Sequence, residues 1–271
     1  MTMLRHLALA AVLVLSASAV ASQDYEKGLA AARSRDFETA LKEWLPLAEQ
    51  GNANAQKDLG LMYYNGNGVP LDQTEALKWF RLAADQGNSG AQQMIGVMYY
   101  NGDGVPLDKS EAVKWYRLAA DQGDAIAQTN LGAMYNDGEG VPQDYAEAAK
   151  WYSMAADRGD ANAQSFLGLM YFQGNGVPLD KAHAAKWFRL AGDQGDAGSQ
   201  NFLGAMYNAG EGVVQNDVIA HMWYNLASAN GNEKSATFRD DLAAKMTREE
   251  IAKAQGMAQD CLSSGYKNCG D

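Results

Sequence analysis

The chain has only two cysteines, three histidines and five prolines among its 271 residues, and these shortages exclude most site chemistry at once. Both cysteines, Cys261 and Cys269, stand near the C-terminal end, so neither a zinc ribbon nor a Cys-x-x-Cys redox pair can form. No His-Glu-x-x-His occurs, and no metal ligand set is expected. Positive charge is also short: 22 lysines and arginines stand against 33 acids, for a formal charge of −11. Without a basic patch to displace counterions, nucleic acid and anionic membrane surfaces are poor partners. The acidity serves solubility first, and permits a basic segment on a protein partner without requiring one.

Beyond residue 21 no stretch approaches the roughly 20 apolar residues that span a bilayer. The first 21 residues differ. Arg5 precedes an unbroken apolar run from Leu7 to Leu15, and Ala19-Val20-Ala21 gives a small-x-small cleavage site. That three-part pattern predicts a secretory signal peptide cut after Ala21, and a periplasmic or secreted protein with no membrane insertion afterwards. Loss of Arg5 takes the formal charge to about −12. In an oxidising compartment Cys261 and Cys269 should form a disulfide closing a short loop. On chain-entropy grounds it is worth about 2–3 kcal/mol and keeps the last helix and tail from fraying.

What the chain does have is a period. Trp79, Trp115, Trp151, Trp187 and Trp223 stand 36 residues apart, and glycines from Gly51 to Gly231 keep the same beat. Such a repeat means stacked units, each burying its apolar face only against its neighbours. In the unit 89–124, Ala91, Ile95, Gly96, Met98 and Tyr99 recur at helical spacing. Asn101 to Pro106 breaks that helix, and Asp108 begins a second, with Glu111 in capping-box register. Ala112, Trp115, Tyr116, Ala119 and Ala120 form its buried side, and Gly123 ends it. Glycine also sits inside every first helix, at Gly60, Gly96, Gly132, Gly168 and Gly204. Each costs about 1 kcal/mol against alanine, so a close approach by the partner helix is expected at all five.

The units are therefore 53–88, 89–124, 125–160, 161–196 and 197–232. Residues 22–52 read as an N-terminal capping repeat whose first helix runs from Tyr25 to Ser34. Residues 233–271 read as capping helices near 233–246 and 248–261, with Thr247 and Glu250 as a capping box, followed by the disulfide tail. Capped ends favour a monomer.

The runs Ala-Gln-x-x-Leu-Gly-x-Met-Tyr, Gly-x-Gly-Val-Pro-x-Asp and Ala-x-Lys-Trp-Phe/Tyr-x-x-Ala-Ala-x-x-Gly resemble Sel1-like repeats, relatives of the tetratricopeptide repeat. The resemblance covers nearly all of 24–232. It implies an all-α fold, a right-handed α-solenoid of helix–loop–helix repeats with first helices on the concave face. It also implies an adaptor or regulator of protein complexes in a bacterial envelope, bound to an envelope complex or sensor.

Comparing the copies shows where a partner would bind. One stripe of each first helix drifts while the rest stays constant: Lys57, Gln93, Thr129, Ser165 and Asn201; Leu61, Val97 and Leu169; Tyr64, Tyr100, Asn136, Phe172 and Asn208. Spacings of four and three put each unit's members on one side of the helix. They form the candidate peptide-binding face, with Tyr64, Tyr100 and Phe172 as aromatic anchors. The same drift would arise if these residues packed on the next unit or faced water under weak constraint.

Catalysis finds little support. The Gly-x-Gly loops lack the preceding strand and following lysine of a phosphate cradle, so no nucleotide cofactor is expected. His183 and His221 read as surface or packing substitutions, and Asp72, Asp108, Asp144 and Asp180 as helix caps. Arg81, Arg117 and Arg189 are spaced to reach Asp85, Asp121 and Asp193 one turn on. Ser264-Gly265-Tyr266-Lys267 matches the Ser-x-x-Lys of penicillin-recognising enzymes, yet no Ser-Asp-Asn or Lys-Thr-Gly accompanies it. A weak cell-wall or β-lactam hydrolase and a secreted effector acting on a host protein are the rival readings to an exported adaptor.

Overall fold

The computed structural model describes residues 24–267 and residue 269. The leader expected at 1–21 and its cleavage site lie outside the described residues. Within them the chain is all-α, and it divides into two compact units, Met1–Gln122 and Gly123–Asp271.

The first unit holds α1 (24–33), α2 (Phe37–Glu49), α3 (Ala53–Asn65), α4 (Gln73–Asp85), α5 (Ser89–Asn101) and α6 (Lys109–Asp121). From α2 onward each helix packs on the next in sequence, so hairpins stack as solenoid repeats. Tyr25 of α1 ties the capping hairpin down. Its hydroxyl donates to the buried Asp58 carboxylate at 2.6 Å, and Lys57 Nζ lies 2.8 Å from the other oxygen.

The second unit holds α7 (Ala125–Asp137), α8 (Tyr145–Ala156), α9 (Ala161–Gln173), α10 (Lys181–Gly192), α11 (Ala197–Ala209) and α12 (Asp217–Ala229), built as hairpins of the same design. Then α13 (Glu233–Ala243) and α14 (Arg248–Ser263) both pack on α12 and cover the end of the last repeat. Trp223, Met222, Ala254, Ala258 and Cys261 meet there in one buried cluster. Cys261 and Cys269 are bonded, with Cα atoms 4.6 Å apart, and both are buried.

The caps follow from the side chains. Asn52, Asn88, Asp124, Asp160 and Asp196 accept from the third backbone N–H of each first helix, as Asp72, Asp108, Asp144 and Asp180 do for the second helices. The box expected at Asp108 does not close, because the Glu111 carboxylate turns outward to Lys114 Nζ at 2.7 Å. Thr247 and Glu250 do close theirs, at 3.2 and 2.8 Å.

The close approach expected at the first-helix glycines is an approach by a ring rather than by backbone. A Cβ added at Gly168 would stand 2.9 Å from the Phe188 ring. Gly60, Gly96, Gly132 and Gly204 meet Phe80, Tyr116, Tyr152 and Tyr224 in the same way. Between repeats the loop glycines bring backbone close. Gly176 takes φ 70°, and a Cβ there would fall 2.1 Å from the Tyr145 carbonyl oxygen.

A ladder of buried glutamines sets the register from hairpin to hairpin. Gln92 Nε2 donates to the Ala84 carbonyl of the preceding repeat, and its Oε1 accepts from Gln122 at 2.7 Å. Gln56 joins Ala48 and Gln86, Gln164 joins Ala156 and Gln194, and Gln200 joins Gly192 and Asn230. The carboxamide offers both a donor and an acceptor, so one buried side chain satisfies a helix-end carbonyl behind it and a donor ahead.

Candidate functional site

The drifting stripe of the first helices divides into three rows with different surroundings. The row beginning at Lys57 is taken up by bonds within the stack. Ser199 Oγ donates to Ser165 Oγ at 3.0 Å, and Ser235 Oγ donates to Asn201 Oδ1 at 2.8 Å. Thr129 is buried and bonds the Ala125 carbonyl and Asp160, so it offers a partner no open face. Lys57 is held by Asp58, and Gln93 is half-buried. Ser165 and Asn201 thus join one hairpin to the next.

Leu61, Val97 and Leu169 are half-buried, and Leu61 packs with Tyr64 on the core of the next hairpin. The third row keeps its rings partly open. The Tyr64 hydroxyl donates to Asp103 at 2.7 Å, and that bond holds the Asp103 carboxyl below its usual range. Lys109 Nζ stands 5.0 Å from the centre of the Tyr100 ring, and Lys181 Nζ stands 5.0 Å from that of Phe172. Asn136 and Asn208 occupy the same row without a ring, and Asn208 is exposed.

A fourth row was not visible in the sequence comparison: Asp58, Met94, Asn130, Phe166 and Phe202. Phe166 stacks on Tyr152 with ring centres 5.1 Å apart, and Phe202 on Phe188 at 4.8 Å. Phe166 is nevertheless 43% exposed. The signal in the sequence is the pair of phenylalanines in the last two repeats, and of the three earlier members only Met94 is apolar.

The charged pairs lie elsewhere. Lys78–Glu75, Lys114–Glu111 and Lys150–Glu147 lie along second helices, where exposed pairs contribute little. Arg189 reaches Asp193 at 3.1 Å as its spacing predicts, whereas Arg81 instead donates to the Tyr99 hydroxyl. Among the described residues no group of three His, Cys, Asp or Glu side chains could hold a metal ion, and no helix is long and apolar enough to cross a membrane. Ser264 sits at the C-terminal end of α14, with its hydroxyl donating to the Cys261 carbonyl. A penicillin-recognising serine needs a helix start, so the Ser-x-x-Lys match lacks its structural context.

His221 is one titratable group with a clear environment. It is buried on α12, its Nδ1 has no hydrogen-bond partner, and burial followed by Arg239 lowers its pKa against the opposing pull of Asp240. The folded chain therefore binds the proton less well than the unfolded chain. Its contribution to stability is whole above about pH 6.5, the ordinary histidine value, and is lost as pH falls through the lower folded value. Urea midpoints of the protein should fall between pH 7.5 and pH 5 by more than those of His221→Leu. Equal falls would show that His221 carries none of the slope.

A family model described as Sel1 repeat matches residues 53–88, 89–124, 125–160, 161–196 and 197–232. Among solved structures, a Sel1 repeat protein from Oxalobacter formigenes is 34% identical, with a TM-score of 0.76, 88% of this chain and 99% of that one covered. A protective antigen of uropathogenic Escherichia coli strains is 37% identical with a TM-score of 0.74, and its title describes an SLR fold. That alignment covers 85% of this chain, which spans 53% of the antigen's length. A search of curated proteins finds no match.

Proposed function

Because the chain belongs to the Sel1 repeat family, whose members generally mediate protein–protein interactions, we propose that it is an exported adaptor. Its first-helix face takes a segment of a protein partner and so assembles or regulates an envelope complex. The observation that carries this reading is the contrast between the two kinds of first-helix position. Glutamines and glycines inside the stack are the same in every repeat, while the half-open side chains beside them change from ring to amide. A scaffold that holds its backbone constant and varies one surface is suited to reading a sequence along that surface. Export rests on Arg5, the run Leu7 to Leu15 and Ala19-Val20-Ala21, and a disulfide at Cys261–Cys269 agrees with an oxidising compartment.

Photo-crosslinking tests the face. A benzophenone side chain placed at position 97 or 169 should yield a specific adduct in envelope extracts. The same group at 118 or 190, where exposed leucines lie on second helices, should yield none. Equal yields from the two sets would overturn the assignment.

A further inference from the structure

We propose that a pocket between the third and fourth repeats receives one aromatic side chain of the partner segment, with a lysine or arginine beside it. The proposal rests on the first-helix face being the binding face, and it names the chemistry read at one point on it. The register of the repeats within the second unit points to the pocket. In the fourth repeat the Phe172 ring lies tilted 6.1 Å from Phe202, which itself stacks flat on Phe188. One repeat earlier the same positions hold Asn136, Phe166 and Tyr152. The stacked pair is still there, Phe166 on Tyr152, but the third ring is not. In its place is a cavity of about 250 Å³ lined by Asn136, Tyr145, Tyr152, Phe166, Leu169 and Gln173.

The protein itself shows what fits. Phe172 demonstrates the ring geometry that a stacked aromatic pair accepts at this register, and Phe166 presents the matching surface open rather than covered. A partner's ring entering beside Asn136 would bury the exposed side of Phe166. Asn136 Nδ2 donates to Asp137 at 2.7 Å and Gln173 Oε1 accepts from Asn175 at 2.9 Å, which leaves Asn136 Oδ1 and Gln173 Nε2 to hydrogen-bond the partner's main chain. The fourth repeat also places Lys181 over its ring, whereas the third has Tyr145 there and supplies no cation of its own. Asp137 is exposed and bonded to the pocket-lining Asn136, and burial followed by this charge pushes up the pKa of the Tyr152 hydroxyl. Negative charge at the rim with no local lysine favours a cation on the incoming segment.

The test uses the full chain and three probes: acetyl-Phe-Lys-amide, acetyl-Leu-Lys-amide and acetyl-Phe-Glu-amide. The side-chain amide signals of Asn136 and Gln173 are followed by nuclear magnetic resonance. Phe-Lys should shift both saturably, with Leu-Lys and Phe-Glu each at least about tenfold weaker, a difference of ~1.4 kcal/mol. Asn136→Phe should abolish the shift at Gln173 and raise the melting temperature, because its ring fills the space. Asn136→Ala, which keeps the cavity but removes one of the two carboxamides, should weaken the shift at Gln173 without abolishing it. Equal binding of the leucine probe, no saturable shift with any probe, or undiminished binding by Asn136→Phe would each overturn the pocket. If crosslinks at 97 and 169 form while the dipeptides fail, the pocket is wrong and the face stands. If the Phe-Lys probe binds as described and those crosslinks are missing, the pocket stands and the face reading fails.

Discussion

Phe188→Ala should cost about 3–5 kcal/mol, the range for removing a large ring from a packed interior. Phe188 is fully buried, covers Gly168 on one side and stacks on Phe202 on the other. In a stacked array each hairpin touches only its neighbours, so the loss should fall on α9, α10 and α11 rather than spread evenly. Urea unfolding followed by far-UV circular dichroism measures the size, and amide exchange locates it. A paired substitution sharpens the claim. Gly168→Ala alone should cost about 1–3 kcal/mol, since its Cβ would drive into the ring. In the Phe188→Ala background the same change should cost nothing or stabilise, because the methyl enters vacated space and alanine is the better helix former by about 1 kcal/mol. Additive costs would show that the ring does not explain the glycine.

The second large effect concerns recognition. Replacing Tyr64, Tyr100 and Phe172 together by alanine should weaken the crosslinked partner by about a hundredfold or more, ~2.7 kcal/mol. These rings are already held in place, Tyr64 through Asp103, Tyr100 beneath Lys109 and Phe172 beneath Lys181. Little freedom remains to be lost when a partner covers them, and that makes them effective anchors. Tyr64 and Phe172 also pack on buried clusters of the stack, so the variant's helix content and melting have to be checked alongside its affinity.

The repeat itself was plain in the sequence, because tryptophan, glycine and proline recur at fixed intervals and each has one dominant structural meaning. Helix ends were equally plain wherever Asp72, Asp108 or Thr247 named them. The glycines showed that something came close without showing what. Only coordinates reveal that position 188 sets a ring against position 168. The glutamine ladder was legible as a constant letter and silent as physics, since a buried carboxamide is defined by partners 8 and 30 residues away. The face proposed for binding was half legible. Periodicity marked the half-open rings of Tyr64, Tyr100 and Phe172, but it also drew in Thr129, Ser165 and Asn201, whose polar groups are bonded within the stack. It passed over Phe166 because its counterparts Asp58, Met94 and Asn130 hide an aromatic position behind unrelated side chains.

The central claim is that first helices, and not second helices, carry the recognition surface. Its most direct test is one paired titration of the crosslinked partner against two triple variants. The first is Tyr64→Ala, Tyr100→Ala and Phe172→Ala; the second is Leu82→Ala, Leu118→Ala and Leu190→Ala, which removes exposed leucines from second helices. A loss of about a hundredfold or more is expected for the first and a change within about twofold for the second. Full affinity in the first, or a comparable loss in the second, would contradict it.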